Sequence, residues 1–196
     1  MRKKTAQESQ SSIRIIGGKW RSRRLNFQTA EGLRPTGDRI RETLFNWLAP
    51  DIQGARCLDL FAGSGALSFE ALSRGALHCT ALDNNPAVIA QLRANQSDLG
   101  AEDLQLVQVD TRDYLIHRQP DTPFDIVFMD PPFARDLHAE ISLLLVQNCW
   151  LADSALIYCE MPATEPDLSG QYWRSVKQKT AGAVRYCLYS QIEISA

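Results

Sequence analysis

The residues with the clearest chemical potential are Asp130-Pro131-Pro132-Phe133, which follow the apolar run 124–129. An apolar run of strand-forming residues is typical of a buried parallel strand. Two successive prolines then prevent both backbone hydrogen bonding to a neighbouring strand and the immediate start of a helix. The sequence therefore predicts a carboxylate, a rigid turn and an aromatic ring at the carboxyl end of a strand, where open α/β sheets bind ligands. The alternative is a strand that simply stops at a Pro-Pro turn, with Phe133 in the core.

A second candidate site is the glycine-containing loop 59–65, which joins a predicted strand to a predicted helix. Glycines allow a tight turn and close approach of a ligand, and the start of the helix presents free N–H groups. A dinucleotide site would have Gly or Ala where this chain has Ser68, and the carboxylate before the loop would repel phosphates. A ligand with a positive group, such as the amine of S-adenosylmethionine (SAM), fits better; a turn without a ligand is the alternative. The loop residues expected to bind the cofactor are Asp59, Phe61, Ala62, Gly63, Ser64 and Gly65.

Polar residues also end the next two predicted strands. Asp83, followed by Asn84, lies 20 residues after Gly63, the separation expected for a carboxylate that binds ribose hydroxyls. Asp110-Thr111 ends the third strand and could reach an adenine. Helix capping is the alternative role for Asp83 and for Asp110. With the glycine loop, these residues predict a site for one nucleoside that carries a cationic amino-acid tail.

Beside such a methyl donor, the residues from Asp130 onward would have a definite role. An exocyclic amine of a base is a poor nucleophile, because its lone pair is delocalised into the ring. The Asp130 carboxylate and the Pro131 carbonyl can accept its two N–H groups and favour a pyramidal nitrogen. Phe133 can stack on the base, which must be unpaired or flipped out.

Alternating strands and helices position these residues. The predicted strands are 56–61, 78–83, 104–109, 124–129 and 154–160, and the helices are 65–74, 86–98, 111–118 and 136–149. Alternation of this kind indicates a mostly parallel sheet with helices on both faces. Segments 173–179 and 184–192 read as an antiparallel hairpin, and a helix within 33–48 would be capped by Thr36 or Asp38. This α/β pattern resembles the Rossmann-like fold of class I SAM-dependent methyltransferases.

The N-terminal part of the chain is basic and the remainder is acidic. Residues 1–41 contain 11 Lys+Arg and 3 Asp+Glu, whereas the remainder contains 10 and 20. A basic arm on an acidic body suggests a polyanionic partner; a solvated basic face is the alternative.

We expect a disordered tail at 1–12, a β-hairpin arm at 13–32 and the main domain at 33–196. Gly17-Gly18 indicates the hairpin turn. Trp20, Leu25 and Phe27 are expected to anchor the hairpin to the body, although exposed aromatics among arginines could instead stack on bases. The cations predicted to contact nucleic-acid phosphates are Arg14, Lys19, Arg21, Arg23, Arg24, Arg34, Arg39 and Arg41.

Composition excludes several classes of protein. The five cysteines are scattered and odd in number, which indicates buried thiols in a reducing cytoplasm. The three histidines form no cluster with them, so we expect no metal. No window approaches the roughly 20 apolar residues of a membrane span. A monomer is expected, because no sustained apolar surface stripe is apparent.

Several blocks together resemble the RsmD family, bacterial methyltransferases that act on guanine N2 in 16S ribosomal RNA. They are Arg14–Gly18, Leu33–Thr36 with Asp38-Arg39, Arg41–Leu48, Asp59–Ala66, Asp130–Phe133, and Leu151–Asp153 with Ala155–Tyr158. The N-terminal blocks are particular to that family, whereas the glycine loop and Asp-Pro-Pro-Phe are shared more widely. The resemblance implies a SAM loop at 59–65, a ribose carboxylate at Asp83 and catalysis at 130–133. It also implies ribosomal RNA of the small subunit, or of its assembly intermediate, as the partner. Asp83 is shorter than the glutamate expected there.

Two other functions stay open on the sequence. A DNA adenine-N6 methyltransferase shares Asp-Pro-Pro-aromatic, but no stretch here is long enough for the further domain that duplex recognition usually needs. A non-catalytic ribosome-assembly factor could also retain a SAM fold and bind RNA without turnover.

Overall fold

The computed structural model describes residues 10–28, 37–131, 137–170 and 172–192. Two sheets and five helices form over these ranges. The strands are β1 Gln10–Arg14, β2 Arg24–Gln28, β3 Arg56–Asp59, β4 His78–Asp83, β5 Leu104–Gln108, β6 Phe124–Met129, β7 Leu151–Pro162, β8 Trp173–Ala181 and β9 Val184–Gln191. The helices are α1 Asp38–Trp47, α2 Ala66–Ser73, α3 Pro86–Leu99, α4 Thr111–His117 and α5 His138–Gln147.

The main sheet has seven strands in the order β5-β4-β3-β6-β7-β9-β8. The first five of these are parallel, and β9 runs antiparallel to both β7 and β8. The predicted parallel sheet with a C-terminal antiparallel hairpin is therefore confirmed, as is the class I methyltransferase fold. The last parallel strand, β7, is longer than predicted at both ends, because Leu151 pairs with β6 and because Met161 and Pro162 pair with β9.

Helices cover both faces of this sheet. On one face, here called the α1 face, α1, α2 and α3 pack over buried side chains such as Cys57, Phe128, Tyr158 and Tyr186. On the other, here called the α5 face, α4 and α5 pack over another buried cluster that includes Trp150. The central strands β3, β4 and β6 therefore alternate between two apolar layers, which is why their sequences read as nearly continuous apolar runs.

The predicted N-terminal hairpin forms from β1 and β2, which pair with each other and with no other strand of the described residues. Strand β1 begins at Gln10, inside the stretch assigned to the tail, and a connection of nine residues, 15–23, joins the strands. Gly17-Gly18 is therefore not a tight two-residue turn. Instead it lets the chain lie against α2, because a Cβ on Gly18 would stand only 1.8 Å from the carbonyl oxygen of Ser73.

Buried apolar side chains anchor this hairpin, as expected. Trp20, Leu25 and Phe27 are all buried. The idea that these aromatics stack on bases is therefore wrong for Trp20 and Phe27, because both rings are used in packing.

The start of α1 differs from the prediction. The N-cap is Gly37, with no side-chain cap, and Asp38 is the first helical residue. The carboxylate of Asp38 instead lies 2.7 Å from the guanidinium of Arg41. Thr36, the other expected cap, lies outside the described residues.

Arg41 was expected to contact nucleic acid, and this expectation is wrong. Its side chain is fully buried. Besides the contact with Asp38, its guanidinium lies 3.7 Å from the carboxylate of Glu70 and donates to the carbonyl of Arg14 at 2.9 Å. It is buried because it neutralises Glu70, a carboxylate with no exposed side-chain surface.

Candidate nucleoside and amine site

The strand register brings the predicted site residues to one edge of the sheet. Asp59 pairs with Ala81 of β4 on one side and with Phe128 of β6 on the other. Two residues after these three, β3 leads into the glycine loop, β4 ends at Asp83 and β6 is followed by Asp130. The amide of Leu60 donates to the carbonyl of Phe128 at 3.1 Å, and that of Ala62 to the carbonyl of Leu82 at 2.8 Å. The loop is therefore held between the strands that carry the two carboxylates.

The glycine loop needs glycine for its conformation and for packing. Gly63 and Gly65 have φ values of 50° and 75°, in the left-handed region. A Cβ on Gly65 would also stand 2.6 Å from the side chain of Leu92. The expectation of free loop N–H groups is wrong for Ala62, Gly63 and Gly65, whose amides bond to Leu82, Asp83 and Ala62, respectively. With those donors used, the loop is poorly suited to a phosphate.

Asp59 lies beneath this loop and is only 3% exposed. Its carboxylate accepts the hydroxyl of Ser68 at 2.5 Å and backbone N–H groups of Phe61 and Ser68. Burial raises the pKa of Asp59 to about 6, against the effect of these hydrogen bonds. Asp59 therefore shapes the loop and places negative charge under it. Ser68, the residue that departs from the dinucleotide motif, is the partner that orients this carboxylate.

Asp83 is half-buried at the end of β4. One carboxylate oxygen accepts the amide of Gly63 at 3.0 Å, and the other accepts the amide of Asn85 at 2.9 Å. The helix cap that was the alternative role of Asp83 is performed by Asn85, whose side chain accepts from Ala87. Burial raises the pKa of Asp83. Asp83 therefore joins the loop to the next strand, and the neighbouring Asn84 is exposed.

At the end of the third strand, the geometry supports the helix-capping role of Asp110. The carboxylate of Asp110 accepts the amides of Arg112 at 2.9 Å and Asp113 at 3.4 Å, so it caps α4. The Thr111 hydroxyl is buried and donates to the carbonyl of Leu60 at 2.6 Å. Thr111 thereby ties α4 to the strand before the glycine loop.

Asp130 and Pro131 continue from β6 at the same edge. Asp130 is half-buried and Pro131 is buried. The register of Met129 with Cys159 places Asp130 beside Glu160 of the next strand, which is also buried. The Tyr158 hydroxyl donates to the Glu160 carboxylate at 2.8 Å. Burial, then the charges of Glu160 and Asp130, raise the pKa of Tyr158 well above its usual value. Phe133 lies outside the described residues.

A shallow cleft opens beside the glycine loop. Four of the residues that line it, Ala87, Val88, Gln91 and Leu92, were not singled out in the sequence. The cleft is lined by Phe27, Gly63, Ser64, Ala87, Val88, Gln91 and Leu92. Phe27 belongs to the N-terminal hairpin, so that hairpin forms one wall of the candidate cofactor site. Alternation within β2 could have shown that Phe27 faces the body, but not that it meets the loop.

The remaining predicted cations are exposed on the surface. Arg14, with 62% of its side chain exposed, lies 3.6 Å from Asp38. Arg23 donates to the carbonyl of Asp98 and Arg24 to the hydroxyl of Ser12. The Lys19 ammonium lies 4.4 Å from the Trp20 ring centroid. Arg21 and Arg39 are exposed as well, and Arg34 lies outside the described residues.

Two further classes of site were searched for among the described residues. Within them, no group of three or more His, Cys, Asp or Glu side chains could hold a metal ion. None of the helices in the described ranges has the length and apolar character to cross a membrane.

Known proteins resemble this chain along most of its length. The model of the family described as conserved hypothetical protein 95 matches residues 13–190. A Haemophilus influenzae protein named ribosomal RNA small subunit methyltransferase D is 44% identical over 191 residues, covering 96% of this chain and 99% of that protein. A solved structure of yhhF from Escherichia coli is 49% identical and has a TM-score of 0.82, over 92% of this chain and 98% of its own.

A more distant structure shares the fold alone. It is an RNA methyltransferase from Salinibacter ruber in complex with S-adenosyl-L-homocysteine, 13% identical, with a TM-score of 0.65 over 83% of this chain and 97% of its own. The match of the family model and the identity of the relatives agree with the motifs found in the sequence. The chain belongs to the conserved hypothetical protein 95 family, that is, the RsmD family of methyltransferases.

Proposed function

We propose that this protein transfers a methyl group from SAM to the N2 amine of a guanine in 16S ribosomal RNA of the small subunit. The observation that carries the proposal is the β3–β6 register. By pairing Asp59 with Phe128, it sets the glycine loop directly beside Asp130. The name of the Haemophilus influenzae relative supports ribosomal RNA as substrate. We also propose that the enzyme works as a monomer in the cytoplasm.

The residues of the glycine-loop site fit SAM. Two carboxylates, Asp59 and Asp83, flank the loop, and the loop itself contains no Lys or Arg. This set of groups attracts a cationic tail and can accept hydrogen bonds from ribose hydroxyls, whereas it disfavours a phosphate. In the proposed site Phe61, Ala62, Gly63, Ser64 and Gly65 surround the amino-acid tail, Asp83 and Asn84 hold the ribose, and Asp110-Thr111 border the adenine.

When bound, SAM supplies an electrophilic methyl group on a sulfonium. The protein's task is then to hold the attacking amine in line, and positioning of this kind lowers a barrier by several kcal/mol, up to about 7–11. The Asp130 carboxylate and the Pro131 carbonyl accept the two amine N–H groups, because the fixed φ of proline directs that carbonyl. Phe133 stacks on the guanine in this proposal. Asp130 need not be a strong base, because methylation makes the nitrogen acidic.

The first test is the substitution Asp130→Ala. We expect it to leave the affinity for SAM nearly unchanged, since Asp130 lies beyond the glycine loop, and to reduce turnover at least a hundredfold. Turnover would be measured on small ribosomal subunits from a strain that lacks the enzyme, and SAM affinity by calorimetric titration. Asp51→Ala, at an exposed carboxylate after α1, is the matched control. Unchanged turnover of Asp130→Ala would contradict the role assigned to Asp130.

The two alternatives predict different products in the same assays. A DNA adenine-N6 methyltransferase would label duplex DNA and leave ribosomal subunits unlabelled. A non-catalytic assembly factor would bind RNA equally well with or without Asp130 and label neither substrate. Mass mapping of the methylated nucleotide would then distinguish guanine N2 from any other acceptor.

A further inference from the structure

The C-terminal hairpin is a second basic region in an otherwise acidic body. Residues 172–192 contain 4 Lys+Arg and no Asp or Glu, whereas residues 42–171 contain 6 Lys+Arg and 19 Asp+Glu. Three of the four cations, Arg174, Lys177 and Lys179, lie on the edge strand β8 and are exposed. Within the described ranges, no acidic side chain forms an ion pair with any of the three.

The register of β8 with β9 turns these cations to one face of the sheet. Lys177 pairs with Leu188 and Lys179 with Tyr186, and both partners are buried in the cluster of the α1 face. Directly opposed residues of an antiparallel pair point to the same face. The Arg174 guanidinium agrees with this, since it lies 3.4 Å from the Ser190 hydroxyl, two residues along β9 from Leu188.

The side chains that β8 itself turns to the other face are uncharged, and the fourth cation of the hairpin, Arg185 of β9, lies on that face and donates to the carbonyl of Glu165. Ser175, Gln178 and Thr180 pair with Tyr189, Cys187 and Arg185, respectively. The side chain of Gln178 meets the Cys187 sulfur at 3.8 Å, on the α5 face. Lysines often protect an edge strand from pairing with other chains, but that purpose does not require all three cations of β8 on one face.

Lys179 also lies at the level of the methyl-transfer site. Tyr186, its partner, pairs in turn with Glu160, which lies beside Asp130. Asp130 and Lys179 therefore stand three strands apart, about 14 Å at a strand spacing of about 4.8 Å. At the roughly 3.4 Å per nucleotide of one strand of duplex DNA, this distance corresponds to about four nucleotides.

We infer that Arg174, Lys177 and Lys179, here called the β8 cation row, bind phosphates of the ribosomal RNA strand that flanks the target guanine. The inference rests on the proposed function, because it assumes RNA at Asp130. Asp130 then lies between two basic surfaces: the N-terminal hairpin beyond the glycine loop, and the β8 cation row at the opposite edge of the sheet. Charge complementarity selects RNA over an acidic-surfaced partner, because Lys179 lies level with a site that must receive a nucleotide and Lys177 and Arg174 continue the row along β8 on the same face.

The test compares two double variants with the same change in net charge on the same strand. Lys177→Gln with Lys179→Gln removes two positive charges from the α1 face. Ser175→Glu with Thr180→Glu adds two negative charges on the opposite face. Binding to small subunits that lack the methyl group would be measured at several salt concentrations, with S-adenosyl-L-homocysteine present so that no turnover occurs. Calorimetric titration with S-adenosyl-L-homocysteine would confirm that each variant is folded.

We expect Lys177→Gln with Lys179→Gln to weaken binding about tenfold at 0.1 M salt and to reduce the slope of log K against log salt by about 1.4. The opposite-face variant should keep the parent slope. Equal slopes for the parent and the Lys177→Gln, Lys179→Gln variant would overturn the inference while leaving the proposed function intact. An equal loss in both variants would overturn it too, because it would reflect net charge alone. A parent protein that binds no ribosomal RNA would instead refute the proposed function.

Discussion

The two hairpins of this protein are similar in sequence character but are attached to the body by different forces. Both are short, antiparallel and basic. The C-terminal hairpin extends the main sheet, because the backbone of β9 pairs with β7 from Leu156–Ser190 to Pro162–Val184. The N-terminal hairpin pairs with no other strand among the described residues. An isolated two-stranded hairpin is marginally stable at best, so side chains of the body must hold the N-terminal one.

A buried carboxylate is the centre of that attachment. Glu70 of α2 accepts the amides of Ile16 at 2.7 Å and Gly17 at 2.8 Å, and it also accepts from Arg74. Ser73, one turn later, accepts the amide of Trp20 and donates to the carbonyl of Gly17. Asn95 of α3 bonds to both backbone groups of Asn26. Side chains of α2 and α3, with one backbone bond from the Lys19 amide to the carbonyl of Ser73, therefore hold the N-terminal hairpin, whereas a row of backbone hydrogen bonds holds the C-terminal one.

The largest effect is expected for Glu70→Gln. The amide can accept from only one of the two backbone donors, and it removes one of the two carboxylates, Glu70 and Asp38, that neutralise the buried guanidinium of Arg41. Breaking a buried ion pair by removing one partner costs about 3–5 kcal/mol. Urea unfolding would measure this loss, and amide hydrogen exchange would show faster exchange in residues 10–28.

The same exchange experiment tests the comparison between the hairpins. Amides of β9 should remain protected in Glu70→Gln, because their bonds to β7 do not involve Glu70. Glu102→Gln, at an exposed carboxylate, is the control and should change neither hairpin. If Ile16 and Gly17 exchanged at the parent rate in Glu70→Gln, the carboxylate would not be what holds the hairpin.

The sequence reveals one of these attachments more readily than the other. Apolar runs predicted β3 to β7, because a buried parallel sheet imposes its pattern on its strands, and two strand-like segments around a turn predicted β8 and β9. The docking of Gly17-Gly18 was missed, because it depends on Ser73 and Arg74, which lie more than 50 residues away. Arg41 looked like a surface cation because the partners that bury it, the carbonyl of Arg14 and the carboxylate of Glu70, lie nearly 30 residues away on either side.

One local signal could have indicated the buried carboxylate. Glu70 is the only charged residue of α2, whose eight residues are all buried. A single carboxylate in an otherwise apolar, buried helix needs hydrogen-bond donors or cations beside it in the core, because an unpaired buried charge is costly. For Asp110 the sequence left two roles open, because a strand-end carboxylate before a helix can cap it or bind a ligand, and only the position of the helix decides.

Glycine substitutions compare the two hairpins at matched backbone positions. Gly18 and Gly182 have positive φ values of 74° and 62°, so alanine is strained at both by about 1–2 kcal/mol. A Cβ at Gly182 would meet nothing within 4 Å, whereas at Gly18 it would overlap the backbone of Ser73. We therefore expect Gly18→Ala to cost at least twice as much free energy of unfolding as Gly182→Ala, by urea titration. Equal losses would mean that the Gly18 contact with α2 is easily relaxed.

The smallest effect concerns what the two hairpins share, which is exposed positive charge. Lys19→Gln with Arg21→Gln removes two cations from the N-terminal hairpin. Arg23 is left in place, because its side chain donates a hydrogen bond to the carbonyl of Asp98. We expect each neutralised phosphate contact to reduce the salt slope of RNA binding by about 0.7 for a single strand. Free energies of unfolding should stay within about 0.5 kcal/mol of the parent.

Combining this pair with Lys177→Gln and Lys179→Gln asks whether both hairpins bind one RNA at the same time. The two pairs share no contacts, so their effects on the free energy of binding should add within about 0.5 kcal/mol. Full addition of the slope changes, to about 2.8, would mean that RNA spans the site from one basic surface to the other. A fourfold variant that binds no more weakly than one of the double variants would show that the hairpins act on alternative RNA positions. In that case the two hairpins would differ not only in how they are attached to the body but also in which part of the RNA they bind.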